Sequence, residues 1–122
     1  MPDLPKSDAA IVLLHNPRCS KSRAAKALLE ARGVAFAERR YLDEPLSLDE
    51  LRDLAGRLGG PVSAWVRKGE DAFTEARLDA SASDDAILRA MAAHPVLIER
   101  PILVRGGRAV VGRPPERVLD LL

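Results

Sequence analysis

The chain carries one cysteine, Cys19, among 19 lysine and arginine residues, and its neighbourhood is what gives it chemistry. It stands at the end of His15-Asn16-Pro17-Arg18 and just ahead of a segment, Ser20 to Arg32, that reads as a helix closed by Gly33. The thiol therefore falls at or just before the first helical turn. Unpaired N–H groups and the helix dipole favour an anion there, and Arg18, Lys21 and Arg23 add positive charge. All of these lower a thiol pKa and raise the thiolate fraction.

A thiolate among arginines could serve several reactions, and the spacing removes some of them. A phosphatase loop of the C-x5-R type needs arginine at position 25, where Ala25 stands. A dithiol redox pair of the C-x-x-C type needs a second cysteine at the position of Ser22. The site is thus monothiol, and any disulfide formed at Cys19 must be resolved by a thiol from another molecule. One cysteine with His15 and His94 makes no zinc spacing. No bound metal or cofactor is expected. His94, ahead of Pro95, reads as a structural helix end. His15 is equally placed to cap local backbone groups, and Arg23, a turn into the helix, to serve structure.

The elements that must hold this thiol can be read in order. Residues 1–8 hold two prolines and no apolar period, and read as a frayed lead-in. Ile11-Val12-Leu13-Leu14 is a continuous apolar run, the pattern of a central strand. Val34 to Tyr41 predicts a second strand, parallel to the first across a β-α-β unit. Ser47 with Glu50 forms a capping-box signature, with Leu46 and Leu51 as its staple, and the stripe Leu51, Leu54, Ala55, Leu58 continues to Gly59-Gly60-Pro61. Val62 to Arg67 predicts one or two helical turns around Trp65, and Lys68 to Asp79 is charged and aperiodic. Ser83 caps a third helix that stops at Pro95. Arg100 to Val104 and Arg108 to Gly112 predict a hairpin about Gly106-Gly107, and Pro114-Pro115 opens a last helix over Glu116 to Leu122.

The order β-α-β, a helical block, β-β-α is that of an α/β, thioredoxin-like core with a mixed sheet and an inserted helical subdomain. Within a single domain, 1–122, residues 9–43 and 96–122 are assigned to the core and 45–95 to the insertion. At 47% apolar and 3% aromatic, the core must be built from Leu, Val, Ile and Ala. A net charge of +1 argues against nucleic acid or an anionic membrane as partner. No apolar run approaches a membrane span. The start, MPDLPKSD, has no apolar signal region, and the single unpaired cysteine suggests a reducing, cytoplasmic setting.

His15-Asn16-Pro17-Arg18-Cys19-Ser20-Lys21-Ser22-Arg23 resembles the H-N-P-x-C-x-x-S-R motif of the ArsC-type, glutaredoxin-dependent arsenate reductases. The resemblance runs on through Tyr41-Leu42, Val66-Arg67-Lys68, His94-Pro95, Glu99-Arg100-Pro101-Ile102 and Gly112-Arg113-Pro114. It implies that Cys19 attacks arsenate and that Arg67, Arg100 and Arg113 bind the oxyanion. His15 and Ser22 match positions that support the thiolate, and Arg23 belongs to the same motif. It further implies that glutathione attacks the arsenic-bound intermediate, that glutaredoxin clears the mixed disulfide, and that the Arg100-Pro101 bond is cis. The chemistry agrees: arginine forks bind the edges of a tetrahedral oxyanion bidentately. Two other functions share these residues. One is a general glutathione-linked monothiol oxidoreductase. The other is an Spx-like regulatory protein, whose C-x-x-C switch Ser22 removes.

Overall fold

The computed structural model describes residues 4–122, so the first three residues of the lead-in lie outside it. A four-stranded mixed sheet in the order β2-β1-β3-β4 forms its centre. It comprises β1 (Ile11–Leu14), β2 (Ala37–Arg39), β3 (Ile102–Arg105) and β4 (Arg108–Val111). β1 runs parallel to β2, through the crossover helix α1 (Ser20–Ala31), and antiparallel to β3, which returns antiparallel as β4. This is the thioredoxin-like arrangement expected from the element order.

The period of two along β1 decides what covers each face. Leu13 packs with Ala25 and Leu29 of α1 and with Leu103, Val118 and Leu121. Val12 and Leu14 face the other way, with Ile102 and Val104, onto the helical block. That block holds α2 (Leu48–Leu58), α3 (Asp71–Glu75) and α4 (Asp84–Ala93). Ser47 and Ser83 cap α2 and α4 as the sequence predicts, Ser47 within a complete capping box.

Several elements differ from expectation for local reasons. The second strand spans three residues rather than Val34–Tyr41. At its start, Gly33 with φ +68° turns the chain and the Val34 N–H is spent on the Leu29 carbonyl. At its end, Asp43 and Glu44 fold back onto the Arg40 carbonyl. The aperiodic stretch 68–79 contains α3, one turn with Ala72 buried, closed by Arg77 at φ +59°. The last helix is a 3-10 helix, Pro115–Leu121. Its buried residues, Pro115, Val118 and Leu121, recur every third position, which suits three residues per turn.

The lead-in is not frayed from Leu4 onward. Leu4 is buried in the core, and Arg57 of α2 donates to the carbonyls of Leu4, Pro5 and Gly106. Gly106 turns the hairpin tip at φ +60°, a backbone conformation that favours glycine.

The helical block is anchored to the sheet by a buried ion pair. Glu50, the third residue of α2, receives both terminal nitrogens of Arg39 from β2 and also accepts from the Ser47 N–H. Burial pushes the Glu50 carboxyl up, but Arg39 and the Ser47 amide outweigh it, and the net shift is downward. Replacing Glu50 by alanine strands Arg39, and an urea titration is expected to show a loss of about 3–5 kcal/mol. Because the folded pKa is depressed, this contribution is whole above the ordinary carboxylate pKa and disappears as pH falls through the folded value.

Candidate active site

Cys19 is the N-cap of α1, in extended backbone geometry (φ −94°, ψ 125°), and keeps 8% of its surface open. The loop ahead of it is locked through Ser22. The Ser22 hydroxyl accepts from the Asn16 N–H at 3.0 Å and lies 2.7 Å from His15 Nδ1. Burial, the largest influence on His15, holds its pKa below the ordinary value. The Cys19 N–H donates to the Asn16 carbonyl at 3.0 Å, and Arg23 Nη1 donates to the Pro17 carbonyl at 3.0 Å. His15, Ser22 and Arg23 thus shape the loop from below, and their hydrogen bonds go to one another and to backbone.

The electrostatics of the sulfur come from three neighbours. Burial pushes the thiol pKa up, but the N–H groups of Ser22 and Lys21 and the Arg100 guanidinium favour the thiolate, and the net shift is downward. The Cys19 side chain makes no cap hydrogen bond of ordinary geometry to the helix. Rates of iodoacetamide labelling against pH are therefore expected to rise with a midpoint below about 8.5, the value of a free thiol. An ordinary midpoint would contradict the arrangement.

Arg67, Arg100 and Arg113 come from three distant stretches, and the structure brings them together. Val66 pairs with Ile98 in an isolated antiparallel bridge, with the Arg67 N–H on the Leu97 carbonyl at 2.7 Å and the Glu99 N–H on the Trp65 carbonyl at 3.0 Å. That bridge sets Arg67 beside Glu99 and Arg100. The Arg100–Pro101 bond is cis, as expected, and so is Arg113–Pro114. Gly112 lets the end of β4 close on this segment. Its N–H donates to the Pro101 carbonyl at 2.8 Å, and a Cβ there would meet Pro101 Cγ at 2.8 Å and Val118 Cγ1 at 2.9 Å. Arg113 follows, with Nε donating to the Arg100 carbonyl at 2.9 Å.

Two further residues belong to the site. Glu99 Oε1 lies 2.9 Å from Arg113 Nε, 3.7 Å from Arg100 Nη1 and 4.0 Å from Arg67 Nε, and it accepts from the Arg100 N–H at 3.2 Å. Tyr41 is buried beside the cluster. Burial, above all, pushes its hydroxyl up to about 12, with Arg100 and Arg67 pulling down and Cys19 and Glu99 pushing up. It is therefore a neutral hydroxyl at any working pH. Sequence reasoning places both inside motif stretches but gives neither a role. Their place in those stretches is the signal each carries, and Tyr41 is also the only tyrosine in an aromatic-poor chain.

The decisive feature is Arg100. Its Nε and Nη1 are buried and have no hydrogen-bond partner among the described residues. Arg67 is held by Glu70 at 2.5 Å, and Arg113 by Glu99 and a carbonyl. Buried guanidinium nitrogens without hydrogen-bond partners are costly, and these belong to the arginine that lowers the pKa of the one thiol. A cleft of about 420 Å³, lined in part by Trp65, Glu99, Arg113 and Arg117, meets the cluster through Glu99 and Arg113, while Cys19, Arg67 and Arg100 are not among its lining residues. Among the described residues, no group of three or more His, Cys, Asp and Glu side chains could hold a metal ion, and no helix is long and apolar enough to cross a membrane.

The chain resembles known proteins over most of its length. Residues 14–121 match the model of the ArsC family. An arsenate reductase of Neisseria meningitidis is 48% identical over 114 residues, covering 92% of this chain and 97% of the relative. An uncharacterised Escherichia coli protein, YfgD, is 43% identical over 92% of this chain and 96% of its own length. Among solved structures, an arsenate reductase from Vibrio cholerae superposes with a TM-score of 0.87 at 48% identity, covering 93% of this chain and 98% of that one.

Proposed function

This chain belongs to the ArsC family, and from that premise we propose that it reduces arsenate to arsenite, with Cys19 as nucleophile and with glutathione and glutaredoxin as reductants. The observation that carries the proposal is the buried Arg100, with two unpartnered nitrogens, set against the chain's single, activated thiol. Arg100 receives one edge of the oxyanion, and Arg67 and Arg113 complete the positive wall.

The Cys19 thiolate attacks arsenic(V), and one oxygen departs as water after protonation. The glutathione thiol then attacks the Cys19 sulfur. The sulfur–arsenic bond breaks with its electron pair passing to arsenic, which leaves as arsenite at the +3 state. Cys19 and glutathione, oxidised together by two electrons, remain as a mixed disulfide. The chain has no second cysteine, so an external thiolate must attack the glutathione sulfur and return Cys19 to the thiolate; glutaredoxin performs that step. Phosphate, of the same shape, passes no further than binding because phosphorus(V) does not accept electrons from thiols.

The test is arsenite formation by purified protein supplied with glutathione and glutaredoxin, or with thioredoxin instead. Product with the first pair alone supports the whole proposal, and product with thioredoxin alone overturns the reductant. Turnover of a glutathionylated peptide with no arsenite from arsenate overturns the substrate.

A further inference from the structure

Glu99 is an odd residue to find at the centre of an anion site. Its Oε1 sits within 4.0 Å of a nitrogen of each of Arg67, Arg100 and Arg113, and its backbone is held in place by the N–H bond to the Trp65 carbonyl. A tetrahedral oxyanion bridging the same guanidinium groups must bring one of its oxygens up to that carboxylate. If the oxygen is bare, two negative oxygens face each other, a juxtaposition that proteins use to reject wrong ligands. If it carries a proton, the same contact becomes a short, charge-assisted hydrogen bond from the ligand to the carboxylate.

We propose that Glu99 makes the arginine pocket selective for oxyanions that carry an ionisable proton, such as arsenate and phosphate, over fully deprotonated ones such as sulfate. This rests on the arginine cluster being the oxyanion site. Glu99 acts here as a specificity residue. It also neutralises part of the triple positive charge while the site is empty, which keeps the three guanidinium groups from repelling one another apart.

The experiment reads anion binding without turnover. Cys19 is the only cysteine, so its alkylation by iodoacetamide, with no reductant present and at constant ionic strength, reports occupancy of the pocket. Phosphate and sulfate are the comparison, since neither reacts with the thiol. In the native chain phosphate is expected to half-protect Cys19 at a concentration about tenfold or more below that of sulfate. In Glu99→Gln, sulfate protection strengthens and the gap narrows to about threefold or less, while Glu99→Asp keeps the native preference. Loss of arginine positioning alone would weaken both anions together. Equal protection in the native chain, or an unchanged ratio in Glu99→Gln, overturns the role of Glu99 while leaving the oxyanion site standing. Protection by neither phosphate, sulfate nor arsenate overturns the site itself.

Discussion

Arsenite production by the Cys19→Ser variant is expected to fall by about a thousandfold or more, to the rate at which glutathione reduces arsenate unaided. A serine hydroxyl is not ionised near neutral pH, and the N–H groups of Lys21 and Ser22 that favour a thiolate cannot lower its pKa far enough. Serine also closes the redox route, since oxygen cannot form the mixed disulfide that carries two electrons out of the reaction. The change is nearly isosteric at the N-cap of α1, a position serine suits, so folding stability should move by less than about 1 kcal/mol. Loss of activity with an unaltered thermal transition therefore assigns the nucleophile. Residual turnover near the native level would remove Cys19 from the chemistry, and with it the rest of the mechanism.

Arg100→Ala is expected to lower kcat/KM for arsenate by about 10²–10³-fold, the usual effect of deleting one preorganised donor at a developing negative charge. Two further consequences separate this from a fold defect. First, Arg100 favours the Cys19 thiolate, so its removal should move the alkylation midpoint of Cys19 upward, and less thiolate should be present at neutral pH. Second, Arg100 Nε and Nη1 have no hydrogen-bond partners and the ion pair to Glu99 is long at 3.7 Å, so the variant should be as stable as the native chain or slightly more so. Strain of this kind is what active sites hold at the expense of stability. Arg100→Lys keeps the charge but not the planar fork; it should hold the thiol midpoint near the native value yet recover only part of kcat/KM. Normal catalysis by Arg100→Ala would mean that the unpartnered guanidinium serves some other purpose than binding substrate.

Glu50→Ala, by contrast, breaks the Arg39 pair that joins α2 to β2, far from the thiol in chain order. The block carrying Arg67 is what it loosens. A drop in stability there should raise KM, through a displaced Arg67, before it alters the alkylation of Cys19.

How much of this was legible beforehand depends on the range of each interaction. The caps at Ser47 and Ser83, the turn at Gly33 and the two faces of β1 are decided by neighbours within a few residues, and all stand where pattern puts them. Expectation failed where a local pattern competed with something distant. Leu4 is a single apolar residue in a polar, proline-rich start, yet Arg57 and the hairpin tip hold the segment down. Val34 to Tyr41 has strand-like residues throughout, but helix closure on one side and a turn on the other leave only Ala37–Arg39 to pair.

What the sequence determined by itself is the chemistry available: one thiol, placed at a helix start among cations, with no partner cysteine to resolve it. Those are facts of composition and near-neighbour order, and no packing alters them. Only the tertiary structure decided which of many arginines meet, that the Val66–Ile98 bridge and the closure at Gly112 bring three of them around Glu99, and that Arg100 is left buried with nitrogens to offer. Residues 67, 100 and 113 are too far apart in the chain for local rules to couple them. Their meeting depends on strands and helices docking face to face, a property of the whole core.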